Sequence, residues 1–210
     1  MGFKRYWGQQ FASPHGIGGR ISTLIMNNMN KPQYKAVENF FTDISTEKQD
    51  SNSGPVVLDI GFGNGYLLKK LSKKYPALYF GVDSSADMLK RAKKRCRDFK
   101  NNLYLGSAGN LPFEDEKFDL IFSVNTVYFW QNFEKDISHI FSKLKTGGKF
   151  INVFYCKDWL NKTGFAKQGF TKYDPKDLKL KTSLPGFEIT LNQIKKYKSY
   201  YTVAIKQNNL

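Results

Sequence analysis

The 210-residue sequence predicts an α/β fold: a mostly parallel seven-stranded sheet with helices on both faces, an antiparallel C-terminal strand pair and an N-terminal helical lid. Three observations carry this expectation. Short apolar runs alternate with segments of roughly ten to fifteen residues whose apolar positions recur at helical spacing. A glycine-rich stretch, Asp59-Ile-Gly-Phe-Gly-Asn-Gly65, follows the first apolar run and opens a helix. Two β-patterned runs close the chain.

Taken in order, the preface sets Ile21, Leu24, Ile25 and Met29, then Val37, Phe40 and Phe41, at helical spacing, with Pro32 dividing two helices. Val56 to Ile60 is a short buried strand. Leu67, Leu68, Leu71 and Tyr75 make one face of a helix that stops before Pro76, and Leu78 to Val82 is the second strand. Ser84 with Asp87 reads as a capping pair for a helix burying Leu89, Ala92, Cys96 and Phe99. Asn102 to Gly106 and Phe118 to Val124 are the third and fourth strands. A helix from Phe133 to Leu144 is expected to end on Gly147-Gly148 as a glycine cap, before a fifth strand from Lys149 to Tyr155. A short helix follows Asp174-Pro175, and Phe187 to Tyr197 pairs with Tyr200 to Ile205. In such sheets ligands sit beyond the carboxyl ends of the strands, where the strand order switches.

Composition narrows the function classes. The net charge is +15, from 33 Lys and Arg against 18 Asp and Glu. Arginine occurs only at Arg5, Arg20, Arg91, Arg95 and Arg97. Base readout and phosphate clamping favour arginine's planar fork, so a solvated lysine-rich surface is preferred and nucleic acid is the less favoured partner. The cluster Arg91-Ala-Lys-Lys-Arg-Cys-Arg97 is read in the same way. Two cysteines, Cys96 and Cys156, and two distant histidines, His15 and His139, suit neither a disulfide framework nor a metal site. No apolar run approaches the ~18 residues of a membrane span. Met1-Gly-Phe-Lys-Arg-Tyr-Trp7 lacks a signal-peptide core, and Tyr6 stands where a myristoylation motif needs Ser or Thr. A cytoplasmic protein, monomer or homodimer, is the default.

The glycine-rich loop carries the chemistry. Its alternate glycines allow a tight turn and close approach of a ligand to the backbone. The dinucleotide pattern GxGxxG fails from either start, because Tyr66 or Leu68 stands where the third glycine belongs. Asp59 at the strand end suits a ligand presenting an ammonium group better than a pyrophosphate. Asp83, 24 positions on, stands where an acid accepts hydrogen bonds from ribose hydroxyls.

Five segments in this order resemble the motifs of class I S-adenosylmethionine-dependent methyltransferases, whose core is Rossmann-like. They are Val57-Leu-Asp-Ile-Gly-Phe-Gly-Asn-Gly65, Gly81-Val-Asp-Ser-Ser-Ala-Asp-Met88, Gly106-Ser-Ala-Gly-Asn-Leu-Pro-Phe113, Phe118-Asp-Leu-Ile-Phe-Ser-Val-Asn125 and Leu144-Lys-Thr-Gly-Gly-Lys-Phe150. The likeness covers roughly residues 34–206 and is nearest the branch with ubiquinone/menaquinone-type enzymes. It implies that Asp59 and the backbone of Gly61, Gly63 and Gly65 hold the methionine part of S-adenosylmethionine. It also implies that Asp83 binds the ribose, that Ser84 and Met88 lie against the adenine, and that Asn125 lies near the transferring methyl. The family often has Asp where this chain has Ser107, leaving backbone groups of Ser107 and Ala108 to read the adenine. The resemblance implies one methyltransferase domain over 1–210, with a helical lid and substrate segment at 1–45 and the cofactor core at 55–206.

Methyl transfer from a sulfonium needs positioning and dryness more than a catalytic triad. No [DNS]-P-P-[YFW] follows the fourth strand, where Asn125-Thr-Val-Tyr-Phe-Trp130 stands instead, and neither cysteine follows a proline. Adenine-amino and cytosine-C5 methylation are therefore disfavoured, and a small-molecule acceptor is expected. Tyr128, Phe129 and Trp130 are candidate aromatic walls, with cation–π attraction for an ammonium acceptor. Tyr128 and His15 are the candidate catalytic groups, His15 because imidazole titrates near neutrality. Tyr6, Trp7, Phe11 and Pro14 to Gly19 are the candidate lid over the site.

Overall fold

A computed structural model describes residues 27–47, 54–163, 171–183, 186–195 and 198–208. The lid residues Tyr6, Trp7, Phe11, Pro14 to Gly19 and the candidate base His15 lie outside them. Seven strands make one sheet: β1 Val56–Ile60, β2 Leu78–Asp83, β3 Leu103–Leu105, β4 Phe118–Val124, β5 Leu144–Tyr155, β6 Phe187–Lys195 and β7 Ser199–Lys206. Their order is β3-β2-β1-β4-β5-β7-β6. The first five run parallel, and β7 lies antiparallel between β5 and β6. The expected α/β architecture is therefore present, with its switch in strand order between β1 and β4.

Strand alternation sends side chains to two apolar layers. On one face Leu58, Phe80, Val82, Ile121, Phe150 and Phe154 meet α4 (Phe133–Lys143) through Ile137 and Ile140, and α6 (Pro175–Thr182) through Leu178. On the other, Val57, Tyr79, Leu120, Phe122, Ile151 and Val153 are covered by α1 (Lys31–Glu47), α2 (Tyr66–Ser72) and α3 (Ala86–Arg95). Phe41 of α1 lies 5.2 Å from Tyr75, 6.2 Å from Tyr79 and 6.4 Å from Phe122, ring centre to ring centre. Glu38 ties the same helix to α2 by ion pairs with Lys70 and Lys74 at 2.9 and 2.7 Å. The two lysines hold its carboxyl down at about 2.

Several details differ from the sequence expectation. The cap of α3 is Ser85, whose hydroxyl accepts from the Met88 N–H at 3.3 Å, while Ser84 is exposed one residue earlier. Gly147-Gly148 do not cap α4. That helix ends at Lys143, and Leu144 already pairs with Phe118, so the glycines form an irregular turn inside β5 that lets Lys149 rejoin the ladder at Leu120. The helix before Pro76 stops early, at Ser72. A seven-residue helix, α5 (Lys157–Thr163), follows β5 directly and was not expected, because its pattern is too short to register as a period. The break between two helical segments falls at Asn30, after helical residues 27–29, and Pro32 is the second residue of α1.

Phe122 is fully buried against Phe41. Truncation leaves a cavity between α1 and the sheet, so Phe122→Ala should cost about 3–5 kcal/mol in chemical denaturation. A loss below about 1 kcal/mol would contradict this packing.

Candidate cofactor site

The glycine-rich loop folds over the carboxyl ends of β1 and β2. The N–H of Gly61 donates to the Val82 carbonyl at 2.7 Å, and that of Gly63 donates to Asp83 Oδ2 at 2.7 Å. Gly61 and Gly63 have φ of 79° and 56°, a region costly for any residue with a Cβ. A Cβ on Gly61 would also fall inside the Thr126 side chain, whose hydroxyl donates to the Ile60 carbonyl at 3.3 Å. The loop thus presses on the first turn after β4 and roofs the strand-order switch. Nothing lies within 4 Å of where a Cβ on Gly63 would point, which leaves its backbone open to the cleft.

A cleft of about 660 Å³ opens there, and nine of the ten expected cofactor positions line it: Asp59, Gly61, Gly63, Asp83, Ser84, Met88, Ser107, Ala108 and Asn125. Gly65 does not. It is buried behind the loop, where a Cβ would stand 3.0 Å from Ala92 Cβ and 3.1 Å from Cys96 Sγ. Its smallness seats α2 on α3. Cys96 is wholly buried there, and burial pushes its thiol up to about 11. Cys156 is also buried.

Two carboxylates dominate the electrostatics. Asp59 is buried, and no described residue donates a hydrogen bond to its side chain. Burial, reinforced by the neighbouring Asp83 charge, raises its pKa well above the usual carboxylate range. Asp83 accepts the Gly63 N–H on Oδ2 and the Ser85 N–H, at 2.9 Å, on Oδ1. Burial outweighs those two bonds and pushes its pKa up to about 6. Each of its oxygens keeps a second lone pair, enough for two further donors.

Beyond β3, residues 106–110 form a tight turn in which the Asn110 N–H donates to the Ser107 carbonyl at 3.0 Å. His139 of α4 approaches the Ala108 carbonyl with Nδ1 at 3.2 Å, a buttress rather than a cleft group. Beyond β4, Asn125 takes φ 59°, which Asn tolerates better than most residues. Its side-chain amide pairs reciprocally with that of Gln33 on α1, at 2.7 and 3.2 Å.

Tyr128 departs from its expected place. Its side chain is buried, does not line the cleft, and bonds Asn125 Oδ1 at 3.2 Å and the Tyr155 carbonyl at 3.3 Å, while the Tyr155 N–H donates back to it. Burial drives its pKa up, so the phenol is a poor base and instead holds Asn125. Phe129 and Trp130 do line the cleft. Sequence reasoning missed the contribution of α1 and the turn before it: Tyr34 and Asn30 line the same cleft, and Asn30 Oδ1 accepts from the Tyr155 hydroxyl at 2.9 Å. It also missed Thr126 and Asp136. Polar residues on an amphipathic helix carry no signal of a partner 92 residues away.

No described helix is long and apolar enough to cross a membrane, and the described residues hold no cluster of three or more metal-binding groups. Residues 58–152 match the family model of a methyltransferase domain. An uncharacterized methyltransferase, YdaC, of Bacillus subtilis is 34% identical over 97 residues, which are 46% of this chain and 54% of that protein. A demethylmenaquinone methyltransferase of Tropheryma whipplei is 33% identical over 102 residues, 47% of this chain and 41% of its own length. The chain thus spans about half or less of the curated relatives it matches. Among solved structures, a putative methyltransferase of Haloferax volcanii in complex with its Trm112 activator superposes with a TM-score of 0.67 at 17% identity. That match covers 85% of this chain and 95% of the other, and shows a shared fold. Sheet order, loop geometry and the match over residues 58–152 agree in their likeness to a methyltransferase domain.

Proposed function

We propose that this protein transfers a methyl group from S-adenosylmethionine to a small-molecule acceptor. The observation that carries the reading is the pair of buried acids, Asp59 and Asp83, at adjacent strand ends beneath a glycine loop whose Gly63 backbone faces the cleft. A buried carboxylate without a described donor fits an ammonium group, and Asp83 keeps lone pairs for two ribose hydroxyls. S-adenosylmethionine, when bound, supplies an electrophilic methyl on a sulfonium.

The chain's own residues then do the remaining work by position. Asp59 holds the methionine end, and Gly61 and Gly63 let the backbone approach it. Ser84 and Met88 lie against the adenine, with backbone groups of Ser107 and Ala108 at its edge. Asn125, fixed by Gln33 and Tyr128, stands at the transfer end, and Phe129 and Trp130 wall the acceptor side and exclude water. RNA is the second reading, favoured by the +15 charge and by exposed Lys93, Lys94, Arg95 and Arg97 in the last turn of α3 and just after it.

Calorimetry should detect S-adenosylmethionine and its demethylated product, and Asp83→Ala should weaken both by about 1–3 kcal/mol. No binding at millimolar ligand would sink the assignment. In a labelled-methyl screen of cell extract, label should enter the metabolite or lipid fraction, and label in RNA would replace the small-molecule acceptor. Asp83 also sets a pH dependence. Its folded-state pKa lies above the unfolded value, so the unfolded chain loses the proton first and stability falls as pH rises from about 4 to about 6. Asp83→Asn should flatten that fall, by up to about 3 kcal/mol, in urea denaturation of the ligand-free protein. A pH profile unchanged by the substitution would mean an Asp83 pKa close to its unfolded value.

A further inference from the structure

Three carboxylates line the cleft: Asp59 and Asp83 at the strand ends, and Asp136 one turn into α4. The first two have roles in the reading above. Asp136 does not, and it is an unusual residue to find there. It is only 6% exposed, in a helix face otherwise filled by Phe133, Ile137, Ile140 and, two turns on, Lys143, which is paired with Asp115. No described lysine or arginine makes an ion pair with it, and the neighbouring Lys135 is exposed. Its only described hydrogen-bond donor is the backbone N–H of Asn132. A buried carboxylate in that condition is costly unless it has further work.

The direction of the side chain shows what it can reach. Asp136 Oδ1 lies over the 106–110 turn, so close to Gly109 that a Cβ there would collide with it. The same turn presents Ser107 and Ala108 to the cleft. His139, one helical turn beyond Asp136, fixes the Ala108 carbonyl at 3.2 Å, so α4 grips this turn at two points. The turn itself carries no acid, because the residue after Gly106 is Ser107. The cleft therefore presents one unneutralised acceptor beside the backbone of Ala108. An acceptor next to backbone N–H groups complements the edge of adenine, whose 6-amino group donates and whose N1 accepts.

We infer that Asp136 is the specificity-determining residue for the base of the methyl donor, accepting a hydrogen bond from the adenine 6-amino group across the 106–110 turn. The inference rests on the proposed S-adenosylmethionine site. An acid supplied from α4 does the work that the turn's own side chain cannot do, and Gly109 is needed so that the carboxylate can reach over it. A keto group at the same position would face a negative charge, so hypoxanthine or guanine would be rejected.

The test compares S-adenosylhomocysteine with its purine-riboside analogue, which lacks only the 6-amino group, by calorimetry. The wild type should prefer the adenine compound by about tenfold. Asp136→Ala should bring the two affinities within about twofold, and Asp136→Asn, which keeps a neutral acceptor, should leave an intermediate preference. If Asp136→Ala does not fold, the Asn variant carries the comparison alone. A purely structural role for Asp136 would weaken both ligands equally, and an unchanged ratio in the variants overturns the inference. Wild-type protein that binds neither compound would instead overturn the cofactor site itself.

Discussion

The site depends on one close contact: Gly61 lies directly against Thr126, so the loop after β1 and the turn after β4 form a single wall. The contact is possible because β1 and β4 are neighbours although two α-helices, a short 3-10 helix and two strands separate them in sequence. A parallel sheet brings their carboxyl ends to one rim, and the switch in strand order there opens a crevice. Any side chain at Gly61 would push the loop away from Thr126 and off the Val82 carbonyl that anchors it. With the loop displaced, Gly63 would lose Asp83, and the second strand end would no longer be tied to the first.

A second set of contacts joins α1 to this wall. Gln33 pairs with Asn125, Asn125 bonds Tyr128, Tyr128 is held by both the N–H and the carbonyl of Tyr155, and the Tyr155 hydroxyl returns to Asn30. Each such bond contributes only about 1 kcal/mol net, but leaving one of these buried groups unpaired costs more. The network therefore fixes the strained Asn125 backbone through side chains whose carriers, α1 and β5, are both packed in the core. Tyr128 matters to the site by holding Asn125 in place.

Most of the fold was legible in the sequence, because β1 and β4 are apolar runs bounded by glycine or charge and the helices between them keep a 3.6-residue period. The misplaced boundaries have specific causes. Gly147-Gly148 are a plausible helix cap by composition, but the pairing of Leu144 with Phe118 competes for the same residues and wins. Ser84 and Ser85 are adjacent potential caps, and only backbone geometry selects the second, since Asp83 accepts the Ser85 N–H and leaves the Ser85 hydroxyl to reach Met88. Within the site, the positions on the strand ends and their loops were legible, because motif and strand end coincide. Gly65 was legible as a turn glycine, which its φ of 73° bears out, but its fit against Ala92 and Cys96 was not. Gln33, Asn30 and Asp136 were not legible, because each acts through a contact made by tertiary packing, Gln33 and Asp136 from helices with ordinary amphipathic patterns and Asn30 from the turn before α1.

The buried acids set a balance between stability and binding. Folding places Asp59, Asp83 and Asp136 where burial raises their pKa values, so each makes the ligand-free fold less stable near neutral pH than a solvated acid would. The net charge of +15 does little to relieve them. Described lysines pair elsewhere, as with Lys69 on Asp98 and Lys70 and Lys74 on Glu38, and no described lysine or arginine forms an ion pair with these three. A ligand that brings an ammonium, two hydroxyls and an amino group returns to each acid the partner that folding withheld. Binding of such a ligand would stabilise the protein through the groups that had weakened it, and a preference for it would follow from three acceptors spaced around one cleft. A ligand lacking any of the three donors leaves a buried carboxylate unpaired, which costs more than a missing surface contact.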